Sequence, residues 1–150
     1  SLYCPAKEFR YVTVMRNPID RVYSQFFMYK KLKENISNHG LILTLKTQLV
    51  FKNLACQYYS GLIDENVDER IFNIAKENLN KFFFIINFDN FEKDVKKLSN
   101  KLNINSNIII EHKNKSVYKK IDEKEKEAIE IYNYWDLKLY EHFEKNIIAK

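Results

Sequence analysis

The stretch Y-V-T-V-M-R-N-P-I-D-R-V-Y-S, Tyr11 to Ser24, constrains the fold more than any other part of the chain. Val12, Thr13, Val14 and Met15 are apolar or β-branched in succession, which predicts a short buried strand. Arg16 falls where that strand ends. Asn17 then Pro18 is a helix start, because Asn caps well and Pro suits the first helical position. Asp20 sits in the first turn, where a carboxylate complements the helix dipole. The segment therefore encodes strand, tight turn and helix, with an arginine at the turn. Arrangements of this kind at the C-terminal ends of strands hold phosphates.

The helix predicts a core stripe of Ile19, Val22, Tyr23, Phe26 and either Met28 or Tyr29, at helical spacing. Ser24 lies off the centre of that stripe. It stands roughly 10 Å along the axis from Asn17, at about 1.5 Å per residue. A guanidinium from residue 16 and a hydroxyl from residue 24 can converge on one anion, and the planar arginine fork suits phosphate oxygens. The alternative is that Arg16 pairs with a carboxylate and Ser24 faces water. Of 25 Lys plus Arg residues, only Arg10, Arg16, Arg21 and Arg70 are arginine. Three of those four cluster between residues 10 and 21, which favours a use for guanidinium geometry there.

These residues resemble a family. R-N-P-I-D-R-V-Y-S is similar to the 3′-phosphate-binding motif of sulfotransferases that use 3′-phosphoadenosine 5′-phosphosulfate (PAPS). Arg16, Pro18, Arg21 and Ser24 match its positions. N-L-A-C-Q-Y-Y-S-G, Asn53 to Gly61, resembles the helix-then-glycine segment of carbohydrate-type members. A-K-E-N-L-N-K-F-F-F-I-I-N-F-D-N-F-E-K-D-V-K-K-L is similar to the family's helix, strand and next helix. H-K-N-K-S, His112 to Ser116, resembles the loop that closes over the nucleotide, and Tyr132, Asp136, Leu139 and Tyr140 match the terminal helix.

The resemblance implies a P-loop-type three-layer α/β fold. It also implies transfer of a sulfuryl group from PAPS, the co-substrate, to a hydroxyl or amine of a carbohydrate or related acceptor. Arg16 and Ser24 would bind the 3′-phosphate, Lys113, Lys115 and Ser116 would cover the nucleotide, and Arg21 would support the helix or meet an acidic partner. No metal is implied. Relatives of this kind occur in bacterial cytoplasm and in the eukaryotic Golgi lumen.

The family also uses a Pro-Lys-Ser/Thr-Gly-Thr-like loop, whose glycines let backbone N–H groups approach the phosphosulfate. The two glycines here, Gly40 and Gly61, carry no such pattern. The family's catalytic His or Glu normally precedes the arginine motif, and Glu8 is the sole carboxylate before Arg16. The expectation is one partial domain spanning 1–150, the 3′-phosphate-binding half of a sulfotransferase. It should be helix-rich with an incomplete parallel sheet, and inactive in isolation.

Periodicity supports strands alternating with helices, hence parallel strands. After the first strand it predicts helices over about Pro18 to Glu34, Leu43 to Tyr59 and Val67 to Asn80. The run F-F-F-I-I predicts a strand buried on both faces. Asp89 is the expected cap of a helix over Phe91 to Leu102, and Ile108 to Ile110 a last short strand. Asp122 opens a final helix with Ala128, Tyr132, Trp135, Leu139 and Phe143 on one face. So few strands leave a sheet face bare, which a missing segment or a second copy of the chain would cover.

Cys4 and Cys56 have no metal-ligand spacing and define no disulfide framework. His39, His112 and His142 are scattered without zinc spacing, and His39 and His142 are expected at the surface. No apolar run approaches the roughly 20 residues needed to span a bilayer. The net charge of +5 suits an anionic partner, although lysines spread along the chain also make a solvated surface. A second reading is therefore a non-catalytic basic module binding an anionic polymer, a glycan or a nucleic acid. Nucleic acid is disfavoured because most aromatics sit on apolar stripes, not beside cations where bases stack. A phosphate-loop kinase fragment ranks lower still, lacking both that loop and a magnesium carboxylate motif.

Overall fold

Val12, Thr13 and Val14 are stiff at Cβ and favour extended backbone, and the computed structural model has them in strand β1, Val12–Met15. It describes residues 9–32, 40–63, 65–104 and 121–148. β1 pairs in parallel with β2, Phe84–Asn87, with Val12 opposite Phe84 and Met15 opposite Asn87. These two strands form the one sheet among the described residues. Around it lie α1 (Pro18–Leu32), α2 (Leu41–Thr47), α3 (Leu54–Ser60), α4 (Glu69–Leu79), α5 (Phe91–Lys101), α6 (Glu123–Tyr132) and α7 (Tyr134–Phe143). The chain is a helix-rich mixture of α and β.

The two strands are buried differently. Ile85 and Ile86 point to opposite faces, yet both are buried, so β2 is covered on both sides. In β1 Met15 is buried, but Val12 and Val14 are 39% and 43% exposed. The expectation of a buried first strand therefore fails for one face. Side chains alternate along a strand, and only the Met15 face has a layer of helices against it.

The core has two clusters. One joins Met15 and Ile85 to Cys56, Ala75, Leu79, Leu139 and Phe143 from α3, α4 and α7. The other gathers Val22, Tyr23 and Phe26 of α1 with Leu41, Leu45, Phe51 and Ile129. The α1 stripe thus follows its periodicity, with Met28 half exposed.

Two continuous helices expected from periodicity are broken. The one over 43–59 splits at a 3₁₀ turn, Leu49–Phe51, and at Asn53, whose φ of 47° is left-handed. The C-terminal one breaks at Asn133, between α6 and α7. In both places an asparagine satisfies another element's backbone, as described below. Asp68 and Asp122 cap their helices, accepting from Ile71 N at 2.9 Å and Glu125 N at 2.8 Å. Asp89 caps nothing. The chain instead makes a 3₁₀ turn, Phe88–Asn90, held by Asp89 N donating to Asn87 Oδ1. The expected strand at 108–110 lies outside the described residues.

Candidate functional site

Asn17 Oδ1 accepts from Ile19 N at 2.9 Å, so the helix begins at Pro18 as its chemistry dictates. This places Arg16 at the C-terminal end of β1. The parallel register brings the end of β2 alongside, with Phe88 following Asn87. The Arg16 guanidinium carbon lies 4.5 Å from the centroid of the Phe88 ring. Stacking of this kind orients a guanidinium while leaving its N–H edge available. Among the described residues no carboxylate lies within ion-pair distance of Arg16. The alternative of a simple Arg16–carboxylate pair is therefore not what these residues form. Ser24 is half-buried on α1. Lys113, Lys115 and Ser116 lie outside the described residues.

Arg21 has the carboxylate instead. Its Nη2 donates to Asp136 Oδ2 at 3.1 Å and Asn133 Oδ1 at 3.0 Å, and its Nη1 donates to Gln25 Oε1 at 3.2 Å. The Asp136 side chain is fully buried and that of Arg21 is 19% exposed. Burial lowers the Arg21 pKa, Asp136 opposes that, and the positive charge of Arg16 adds to the lowering. Arg21 Nε is buried without a partner among the described residues.

Asp136 does more than neutralise Arg21. Its carboxylate accepts from Ala55 N at 2.9 Å and Cys56 N at 2.8 Å, the free donors of the first turn of α3. Asn53 Oδ1 in turn accepts from Trp135 N at 3.0 Å and Asp136 N at 3.1 Å, the corresponding donors of α7. Asn133 Oδ1 closes the set by accepting from Asn53 N at 2.9 Å. Each helix is thus capped by a side chain of the other. The anion-attracting N-termini of α3 and α7 are thus filled by side chains from within the fold.

Around those ends, Asp89 accepts from Tyr140 Oη at 3.4 Å. Burial, together with nearby Glu144 and Asp89, holds the Tyr140 hydroxyl well above the usual tyrosine range, so it stays a neutral donor. Tyr59 Oη lies 3.0 Å from Thr13 Oγ1 and donates to Val14 O at 3.4 Å. Cys56 is a free, buried thiol, pushed far up by burial and by Asp136. Among the described residues no cluster of His, Cys, Asp and Glu has the makings of a metal site, and no helix is long and apolar enough to cross a membrane.

Sequence reasoning missed Phe88 as the platform for Arg16, and missed Asn53 and Asn133 as caps. No local signal marks them, because their partners stand 72 to 83 positions away or farther in the chain. Comparison of the chain with family models, curated proteins and solved structures finds no match.

Proposed function

We propose that the chain is a sulfotransferase-like P-loop-type domain and that its part in the reaction is to hold the 3′-phosphate of PAPS. The observation that carries this is the division of labour between Arg16 and Arg21. The motif's second arginine is consumed by Asp136. The first sits at the end of a parallel strand, stacked on Phe88 and facing no carboxylate among the described residues. A guanidinium held on a ring at the C-terminal end of a parallel strand, with no carboxylate partner among the described residues, suits phosphate oxygens. Ser24, two turns along α1, supplies a hydroxyl to the same anion.

In-line sulfuryl transfer depends on positioning and on stabilising charge at the transferring oxygens. Anchoring the 3′-phosphate supplies the positioning. The sequence carries no phosphosulfate-loop pattern at Gly40 or Gly61, the two glycines it has. These 150 residues by themselves therefore bind the nucleotide without turning it over, and the acceptor is a carbohydrate or a related hydroxyl or amine compound.

Calorimetric titration with adenosine 3′,5′-bisphosphate, using 5′-AMP as the control, tests the reading. Binding should need the 3′-phosphate and should vanish in Arg16→Ala. Equal affinity for the two nucleotides, or retention of the preference in Arg16→Ala, overturns it.

A further inference from the structure

Two side chains hold the turn in which β2 ends. Asn87 N, at the last residue of the strand, donates to Asp94 Oδ2 at 2.9 Å. The Asn87 side chain then closes the turn, its Oδ1 accepting from Asp89 N at 3.0 Å. Phe88 lies between these two bonds, and on its ring rests the guanidinium of Arg16. Tyr140 of α7 steadies the far side of the turn by donating to Asp89 Oδ2 at 3.4 Å.

Packing by itself does not aim the Phe88 ring. The residue is 45% exposed, and its nearest aromatic neighbour among the described residues is Phe91, with centroids 6.4 Å apart. The direction of a half-exposed ring follows from the backbone that carries it, and here that backbone is fixed at Asn87.

Asp94 is a buried carboxylate outside the Arg21–Asp136 network. It stands in the first turn of α5, where negative charge complements the helix dipole. Its side chain reaches back seven positions to the strand end. Its other oxygen accepts from Lys97 at 3.0 Å, but the Lys97 side chain is 55% exposed, and pairs so solvated contribute little. The bond from Asn87 N is buried and charge-assisted, which makes it the stronger of the two. Burying a carboxylate is costly unless it is hydrogen-bonded. What this one does is tie the start of α5 to the end of β2, at the turn that presents Phe88.

We propose that Asp94 is a positioning residue of the anion site: by fixing the end of β2 it sets the Phe88 ring, and through that ring the guanidinium of Arg16. The inference takes its ligand from the nucleotide reading, whereas the positioning itself belongs to the free chain.

Two measurements test it separately. In calorimetry with adenosine 3′,5′-bisphosphate, Asp94→Ala should weaken binding by about fivefold to tenfold, close to the loss in Phe88→Ala. The double variant Asp94→Ala, Phe88→Ala should bind within about twofold of Phe88→Ala alone, because Asp94 acts through the ring. Asp94→Asn keeps an acceptor for Asn87 N and should restore most of the affinity. Lys97→Met removes only the exposed partner and should change affinity by less than about twofold. Losses that add in the double variant, or a loss in Lys97→Met equal to that in Asp94→Ala, overturn the proposal. The second measurement needs no nucleotide. In the NMR spectrum of the free chain, the Arg16 Hδ resonances displaced by the Phe88 ring should move toward their Phe88→Ala positions in Asp94→Ala. Asp94→Ser, too short to reach Asn87 N, should move them likewise and serves where Asp94→Ala does not fold. Unmoved Arg16 resonances in a folded variant overturn the inference. If the parent chain binds neither the bisphosphate nor 5′-AMP, the nucleotide reading falls and the Arg16 resonances alone decide the role of Asp94.

Discussion

Asn53 and Asp136 cap each other's helices across 83 residues of sequence. Asn53 Oδ1 accepts from the Asp136 backbone N–H at 3.1 Å, and the Asp136 carboxylate accepts from two N–H groups just after Asn53. Arg21 lies on the same carboxylate, so α1, α3 and α7 meet at one buried charge. This knot joins elements of the two hydrophobic clusters, with Cys56 and Leu139 belonging to one and Val22 and Phe51 to the other.

Removing Asp136 leaves Arg21 buried and two helix donors empty. Asp136→Ala should therefore destabilise the chain by about 3–5 kcal/mol, the range for breaking a buried pair. Asn53→Ala removes one cap acceptor and should cost about 1–2 kcal/mol. Urea denaturation of both variants and of the double variant checks this. The double variant should cost clearly less than the sum of the two, because the residues belong to one network.

Phe88 should matter to binding and not to folding. Its ring is 45% exposed and carries the Arg16 guanidinium. Phe88→Ala should weaken adenosine 3′,5′-bisphosphate binding by up to about tenfold, as a cation–π contact of ~0.5–1 kcal/mol and the ordering of Arg16 are lost. Its urea midpoint should stay close to that of the parent chain. Phe88→Leu, which keeps the bulk and loses the π face, should behave like Phe88→Ala in calorimetry.

Alkaline pH should weaken the fold through Cys56. Its pKa is raised in the folded state by burial and by Asp136, whereas an unfolded thiol titrates near about 8.5. The folded chain thus holds a proton that the unfolded chain releases. The stabilisation is complete below about pH 8.5 and shrinks as pH rises above it, by at most ~1.4 kcal/mol per pH unit. In a Cys4→Ser background, Cys56→Ala should flatten the fall of the urea midpoint between about pH 8 and 10. Iodoacetamide should label Cys56 only after unfolding, because thiolate is the reactive form.

Gly61 ends α3 with φ of 77°, and its N–H donates to Gln57 O at 3.0 Å. A Cβ there would touch nothing within 4 Å, so the cost of Gly61→Ala is backbone strain alone, about 1–2 kcal/mol. Gly61→Asn should cost less, because asparagine tolerates the left-handed region. Thermal melting of the two variants gives the order.

Much of the local structure was legible in the sequence. The strand, the Asn17 cap, Pro18 at the helix start and the α1 stripe follow from residues within a few positions of one another. The same holds for the Asp68 and Asp122 caps and for Ile85 and Ile86 buried on opposite faces. Arg16 at a strand end was legible for the same reason. The broken helices were not. Periodicity carried apolar residues smoothly through 43–59 and through the C-terminal helix, and nothing nearby shows that Asn53 and Asn133 leave the helical path to serve distant backbone groups. The Arg16–Phe88 stack was hidden because it depends on the parallel register of two strands 72 positions apart.

The sequence by itself determined where the chain extends, where it coils and which helix faces are apolar, because those choices are governed by dihedral preferences and by neighbours three or four residues away. Tertiary structure alone decided which of two neighbouring arginines is neutralised. Arg16 and Arg21 are chemically the same side chain, and only the approach of α7, bringing Asp136 to 3.1 Å from Arg21, assigns one to holding the fold, while Arg16 rests on Phe88 with no carboxylate partner among the described residues. The reason is physical. A buried guanidinium must be paired to be tolerated, whereas one resting on a half-exposed ring is stabilised by the π face and by water without a carboxylate.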